Sequence, residues 1–456
     1  MVSQNIKHVL AGAAERIYCQ KREIDTFRLN SNIFVFPSVF AGEGVSLAER
    51  AVAWSERLSI KEKIINSVQS EINLLVSSLY ELDTPDREAL NITLDNEFIE
   101  KATEDYLKEE EEDDDEESVP IDKFALTTDL LAYALGCILS RWDICYATGA
   151  KPIPDLPDPF APLPVCPPGM LQNAQGLPAA PEEVPADYPL LLTWGGILVD
   201  DEGHPEDVAG RVREALAVIW GARAGDIEQE ACDILGVKSL RDYFRAPAKF
   251  FAEHLKRYSK SRRQAPIYWP LGTPSGSYTL WLYYHRLSDQ TLYTAVNDFV
   301  EPKLRQVEQQ TTALRAHGGR DKTEEKALET LLHLEQELRD LRDELLRVAA
   351  FWKPNLNDGV VITAAPLWRL FQHKPWQKNL KATWESLEKG DYDWAHLAYS
   401  IWPERVVQAA RKDRSIAIAH DLESALWVKA VDGKGKETWV EKELSEDDIQ
   451  KLLKRP

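Results

Sequence analysis

The chain has 456 residues, enough for two to four domains, with 44% hydrophobic residues and a formal net charge of −21. Such a charge excludes a protein that coats nucleic acid over a broad surface, though not a focused basic groove, and no run approaches the ~18 apolar residues of a membrane span. Five scattered cysteines (Cys19, Cys137, Cys145, Cys166, Cys232) form no C-x-x-C pair; this excludes a cysteine zinc ribbon, argues against a disulfide framework and gives a cytoplasmic expectation.

Residues 1–104 read as a helical region. Ile64, Ile65, Val68, Ile72, Leu75, Val76 and Leu79 recur at helical spacing until Asp83-Thr84-Pro85. In the segment 105–120, Glu109 to Glu117 is an unbroken run of nine carboxylates. Its self-repulsion predicts a solvated, disordered loop, with mimicry of DNA or capture of a basic partner as the other reading. Residues 121–189 start with a helix from Phe124 to Trp142 that is apolar almost all round. They continue as a connector over 152–189, about a third proline, where fixed φ and missing donors exclude helix and central strand.

The region 190–290 is expected to mix helix and strand. Leu190 to Thr193 is a candidate strand ending at Gly195-Gly196, and His204-Pro205-Glu206-Asp207 opens an amphipathic helix. From Arg245 to Arg286 there are eight Lys/Arg against one acidic residue, Glu253. Tyr258, Tyr268, Trp269, Tyr278, Trp281, Tyr283 and Tyr284 lie among them. Phe244 to Tyr258 is predicted helical, and Ile267–Leu271 with Tyr278–His285 form a hairpin around Gly272-Thr273-Pro274-Ser275-Gly276. Two readings stand here. Either a solvated basic face adjoins core-packed aromatics, or the cations neutralise phosphates while the aromatics stack on bases. The second makes Lys256, Arg257, Lys260, Arg262, Arg263, Tyr268, Trp269, Tyr283 and Arg286 the candidate DNA contacts.

Residues 291–351 read as a helical hairpin broken near Gly318-Gly319. Its second arm carries a heptad seam, Ala327, Leu331, Leu334, Leu338, Leu341, Leu345 and Val348. Residues 352–456 hold Trp352, Trp368, Trp376, Trp384, Trp394 and Trp402, a packed helical module with a possible short strand at Val360 to Thr363. Lys374, Lys378 and Lys381 offer a second nucleic-acid contact. The expected fold class is α+β, predominantly α-helical, with a small aromatic β-hairpin and a coiled-coil helical hairpin.

No catalytic or metal constellation is legible. There is no phosphate-binding G-x-x-x-x-G-K-[ST], no G-x-G-x-x-G after a strand and no H-E-x-x-H. His204 with Asp200 and Asp201 reads as a helix-capping loop rather than a metal cluster. Pro157-Asp158-Pro159-Phe160 resembles the Asp-Pro-Pro-Phe loop of amino-methylating enzymes but lacks the adjacent prolines, and it lies in the connector with no strand ahead of it.

Arg262 to Leu271 and Ser275 to Leu287 resemble the C-terminal half of large adenine-specific DNA methyltransferases, the type IIG restriction–modification and BREX PglX-like enzymes. Three further phrases are similar: Glu71-Ile72-Asn73 with Tyr80-Glu81-Leu82, where Glu81 replaces a glycine; Ser140-Arg141-Trp142-Asp143 followed by Ala147-Thr148-Gly149; and Asn355-Leu356-Asn357-Asp358-Gly359-Val360. The S-adenosylmethionine loop and the Asn-Pro-Pro-Tyr loop of that family are both missing from this sequence. The resemblance therefore implies a DNA-recognition and scaffold subunit or fragment, in a restriction–modification or phage-defence system. It would bind no cofactor itself and would be inactive alone, with S-adenosylmethionine held by a separate catalytic chain. Ile65, Ile72 and Leu79, at i, i+7 and i+14, are the expected partner interface. The competing class is a protein-interaction adaptor that does not touch DNA.

Overall fold

The computed structural model describes residues 4–80, 82, 122–158, 160–261, 263–317, 321–431 and 437–453. The acidic run, Arg262 and Gly318-Gly319 lie outside these. The chain divides into two compact units, residues 1–192 with 212–239, and residues 193–211 with 240–456. The region 190–290, read as one from the sequence, is thus shared between them.

In the first unit α1 (Gln4–Asp25) packs antiparallel on α2 (Leu47–Leu79). Glu23 meets Arg57 and Lys61 at 2.6 Å each, and Arg16 meets Glu71 at 2.6 Å. Helix α2 starts seventeen residues before Ile64 because Ser46 and Glu49 form a reciprocal cap. Ser46 Oγ accepts from Glu49 N, and the Glu49 carboxylate accepts from Val45 N. Two more orphan donors of that first turn, Leu47 N and Ala48 N, donate to the Glu230 carboxylate at 2.8 Å.

Helix α3 (Lys123–Ile138) is buried on nearly every side, as its composition requires. It stops short of Trp142. Ser140 adopts φ 58°, so Ser140 N bonds Cys137 O and Arg141 N bonds Gly136 O, a Schellman closure. Phe34 then packs on Trp142 (ring centroids 4.5 Å) and Tyr133 (6.1 Å). Gly169 is obligatory against this core, since a Cβ there would lie 2.0 Å from Val35 O. Among its described residues the proline-rich connector forms no helix longer than the three-residue turn Pro181–Glu183.

In the second unit a three-stranded antiparallel sheet runs β1 (Ile197–Val199), β5 (Thr279–Tyr283), β4 (Tyr268–Gly272). The hairpin is the one expected, with Trp269 opposite Leu282 and Leu271 opposite Leu280. The first strand, by contrast, lies after Gly195-Gly196 and not at Leu190–Thr193, because pairing with β5 selects Ile197–Val199. Helix α4 (Val208–Trp220) follows, with Asp207 Oδ2 accepting from Gly210 N at 2.9 Å; the first unit closes with α5 (Ala224–Leu235). The helix expected over Phe244–Tyr258 is broken by Pro247 into α6 (Leu240–Arg245), a π-type turn at Pro247–Phe251 and α7 (Ala252–Arg257).

Helices α8 (Glu301–Ala316) and α9 (Lys322–Ala349) form the helical hairpin. Ion pairs Arg342–Glu301 and Arg339–Glu308 set their antiparallel register. Leu338, Leu341, Leu345 and Val348 are buried, Leu331 and Leu334 half-buried and Ala327 exposed, so the seam is sealed only over its C-terminal half. Val360–Ala364 is helix, not strand: Asn355 caps the preceding turn, and Thr363 Oγ1 donates back to Gly359 O. Trp352 and Trp376 are core residues, and Trp376 lies on α10 (Lys374–Lys389). A two-stranded ribbon, Trp427–Val431 with Glu437–Glu441, adds strands that the sequence reading did not place there.

Candidate nucleic-acid interface

Helix α6 presents Arg241 and Arg245 to the acidic loop after β1. Asp200, 2% exposed, bonds both guanidiniums, and Asp207 takes a bidentate pair of bonds from Arg241 at 2.9 Å. Burial alone would lower the Arg241 pKa, but its bonds to Asp207 and Asp200 hold it well above the ordinary value. Asp201 pairs with Lys303 at 2.6 Å, and His204 Nδ1 accepts from Glu206 N while its ring stacks on Phe299. Asp200 and Asp201, expected to cap the following helix, pair instead with Arg241, Arg245 and Lys303, and it is Asp207 that caps.

The next turn of chain is arranged differently. His254, fully buried on α7, accepts from the backbone amides of Ile267 (2.9 Å) and Tyr268 (3.1 Å) through Nε2. That fixes the ring as neutral imidazole with its proton on Nδ1. Phe250, Tyr258 and Tyr268 close round it, with ring centroids 5.8, 4.8 and 4.9 Å away. The helix end carrying Lys256 and Arg257 is thereby clamped to the sheet. The chain then turns through a small ribbon, β2 (Ser259–Lys260) and β3 (Arg263–Gln264), with Lys260 directly opposite Arg263. Ser261, between them, sits in the left-handed region at φ 56°.

The base of the ribbon is held at three points. Ala265 N donates to Tyr258 O (2.9 Å), Ser259 Oγ to Leu255 O (2.6 Å) and Asn379 Nδ2 to Gln264 Oε1 (2.9 Å). Lys256, Lys260 and Arg263 are exposed and form no ion pair among the described residues. Arg257 is half-buried, and Arg262 lies outside the described residues.

Not every residue expected at a DNA contact belongs to this cluster. Tyr268, Trp269 and Tyr283 are 2%, 0% and 4% exposed. They pack the sheet interior, and Trp269 Nε1 is spent on Pro266 O, so none of them offers a face to a base. Arg286 lies against the other edge of the sheet, its guanidinium 5.1 Å from the Trp194 ring. A Cβ on Gly196 would meet its side chain at 2.6 Å. Lys374, Lys378 and Lys381 are exposed on α10, and Lys381 is shared between the Trp368 ring and Glu385.

On α2, Ile65, Ile72 and Leu79 are half-buried, and the more exposed apolar side chains are Ile60, Ile64 and Leu74. Ile60 and Ile64 border a groove of about 390 Å³ with Arg16, Lys63 and Glu71. Three contributors to the candidate interface escaped the sequence reading: His254, Ser261 and the Gln264–Asn379 bond. His254 alone had a readable signal, falling on the same helical face as Phe250, Phe251 and Leu255.

No family model matches the chain. It is similar to the adenine-specific methyltransferase BrxX of Escherichia coli O9:H4 (strain HS), at 25% identity over 261 residues. The similarity covers 52% of this chain and only 19% of that protein, so the chain spans about a fifth of its relative's length. The chain is thus related to part of an adenine-specific methyltransferase. No helix among the described residues is long and apolar enough to cross a membrane.

Proposed function

We propose that this chain is a DNA-contacting and scaffolding part of an adenine-specific DNA methyltransferase of the phage-defence kind. Methyl transfer, and S-adenosylmethionine, belong to a catalytic part outside this sequence. The observation that carries the proposal is the uncompensated basic ribbon. A protein of net charge −21 places Lys256, Lys260 and Arg263 together on a clamped support, without a carboxylate partner among the described residues. Phosphates are the anions such a cluster suits, and relatedness to an adenine-specific methyltransferase makes DNA the natural bearer of them. The exposed Ile60, Ile64 and Leu74 on α2, next to the Ile65, Ile72 and Leu79 stripe, supply an apolar surface for the catalytic partner.

Fluorescence anisotropy with duplex DNA tests this. Contact with about three phosphates gives a log–log salt slope of roughly −3. The triple variant Lys256→Glu, Lys260→Glu, Arg263→Glu, checked by circular dichroism for an intact fold, should abolish binding. Undiminished affinity in that variant would remove the ribbon from the interface. Calorimetry of the chain with S-adenosylmethionine should show no saturable heat; micromolar binding would place the cofactor on this chain.

A further inference from the structure

We infer that the DNA-contacting surface has a second arm, the lysine row Lys374, Lys378 and Lys381 of α10, which lies along the phosphates of duplex DNA beside the basic ribbon and reads no bases. This rests on the DNA-contact reading above. It extends that site to a stretch of chain 115 residues away, measured between the two residues that join them.

The sequence makes α10 two-faced. Trp376, Leu380, Thr383 and Leu387, at i, i+4, i+7 and i+11, are buried. Lys374, Lys378 and Lys381, at i, i+4 and i+7, fall on the opposite side and are exposed. At about 1.5 Å per residue the row covers about 10 Å of helix, a length over which one strand of a duplex presents about three phosphates. Lys374 bonds the neutral Gln377 at 3.3 Å, and Lys378 forms no ion pair among the described residues. Lys381 meets Glu385 at 3.9 Å between exposed side chains. An ion pair so long and so exposed is weak and yields readily to a phosphate.

The row is joined to the ribbon. Asn379, next to Lys378, donates to the side chain of Gln264, next to Arg263. Six residues earlier on this segment, His373 packs on Phe251 with ring centroids 5.6 Å apart, and Phe251 immediately precedes α7, the helix of Lys256. All these residues belong to the second unit. The two attachments are about 9 Å apart along α10 and hold it alongside α7 and the ribbon, so cations from two remote stretches share one surface. The surface ends where charge is matched again. Arg369, which like Lys381 lies over the Trp368 ring, pairs with Glu344 at 3.6 Å.

Solubility does not call for this row, since the net charge of −21 already provides it. Evenly spaced lysines beside a basic ribbon suit the regular charges of a duplex better than the carboxylates of an acidic peptide. Lysine is a point charge without the arginine fork, so the arm positions DNA and does not specify its sequence.

The experiment measures anisotropy of duplex DNA with the full chain over a salt series, for wild type and for Lys374→Gln/Lys378→Gln/Lys381→Gln. The ribbon alone gives a log–log slope of roughly −3, and three further phosphates steepen that of wild type to roughly −5. The triple variant should return to roughly −3, with affinity at 0.1 M salt lower by about a hundredfold, equally for duplexes of unrelated sequence. Ethylation interference should show two groups of phosphates with wild type and one with the variant. A slope near −3 in wild type that the variant leaves unchanged, with equal affinity, overturns the second arm and leaves the ribbon reading standing. A loss confined to particular sequences overturns the assignment of the arm to phosphates. Failure of wild type to bind any duplex sinks the DNA-contact reading itself, and tighter binding of a glutamate-rich peptide than of duplex overturns the choice of partner.

Discussion

Arg241 is held by Asp200 and Asp207 and Arg245 by Asp200, whereas Lys256, Lys260 and Arg263, a short way along the same chain, form no ion pair among the described residues. The residue types are the same and the treatment is opposite. The first set lies against a buried Asp200, where an unmatched charge is costly, so each cation is matched. The second is lifted into solvent on a braced ribbon, where charge costs little and remains available to an incoming anion. On the proposed reading, stability and recognition fall to different cations within one unit.

The largest effect that bears on this contrast is expected at Asp200. Asp200→Ala strips the carboxylate shared by Arg241 and Arg245 and should cost about 3–5 kcal/mol, seen as a collapsed thermal midpoint. A midpoint close to wild type would make the matched cluster as dispensable as the ribbon. His254→Ala comes next. It leaves the Ile267 and Tyr268 amides without their acceptor, at about 1–3 kcal/mol each, and should loosen the ribbon so that DNA affinity falls along with stability. A variant that lost stability but bound DNA as before would show that the clamp does not serve the tip.

Lys260→Gln with Arg263→Gln should leave the midpoint unchanged to within about 0.5 kcal/mol, or raise it slightly by relieving repulsion. A large fall in chemical-denaturation stability would mean that the tip is structural after all. The smallest effect is expected in the other unit. Burial pushes Glu23 up, but its bonds to Lys61 and Arg57 outweigh this and hold its pKa below the ordinary value. Its contribution is therefore present above the unfolded carboxylate pKa and is lost as pH falls through the folded one. Glu23→Gln should flatten the acid limb of a pH–stability curve and leave the neutral limb nearly parallel to wild type.

Legibility in the sequence followed the length and regularity of each signal. The β4–β5 hairpin was readable because two aromatic runs flank a Gly-Thr-Pro-Ser-Gly turn, and α9 because its heptads persist. The start of α2 was also written, as Ser46-x-x-Glu49, and went unread. Strand β1 and the helix Val360–Ala364 were missed for a physical reason. Short apolar or β-branched runs take their conformation from their partners, here β5 and the Asn355–Gly359 turn. The candidate interface was half legible. Its cations stand out in composition, but whether Tyr268, Trp269 and Tyr283 face water depends on both faces of the sheet being covered, which no local pattern records. The two-residue strands of the ribbon are too short to carry a periodicity at all.

The half-sealed seam of the helical hairpin has a dynamic consequence. With Leu338 to Val348 buried and Ala327 to Leu334 only partly covered, the two ends of α9 differ in what must be broken to open them. Fraying from the far end exposes little apolar surface, whereas opening near the base exposes the whole buried seam. Amide protons of α9 should therefore exchange with deuterium in a gradient along one continuous helix, fast around residue 328 and slowest around Leu345, so that the helix behaves as a beam fixed at one end.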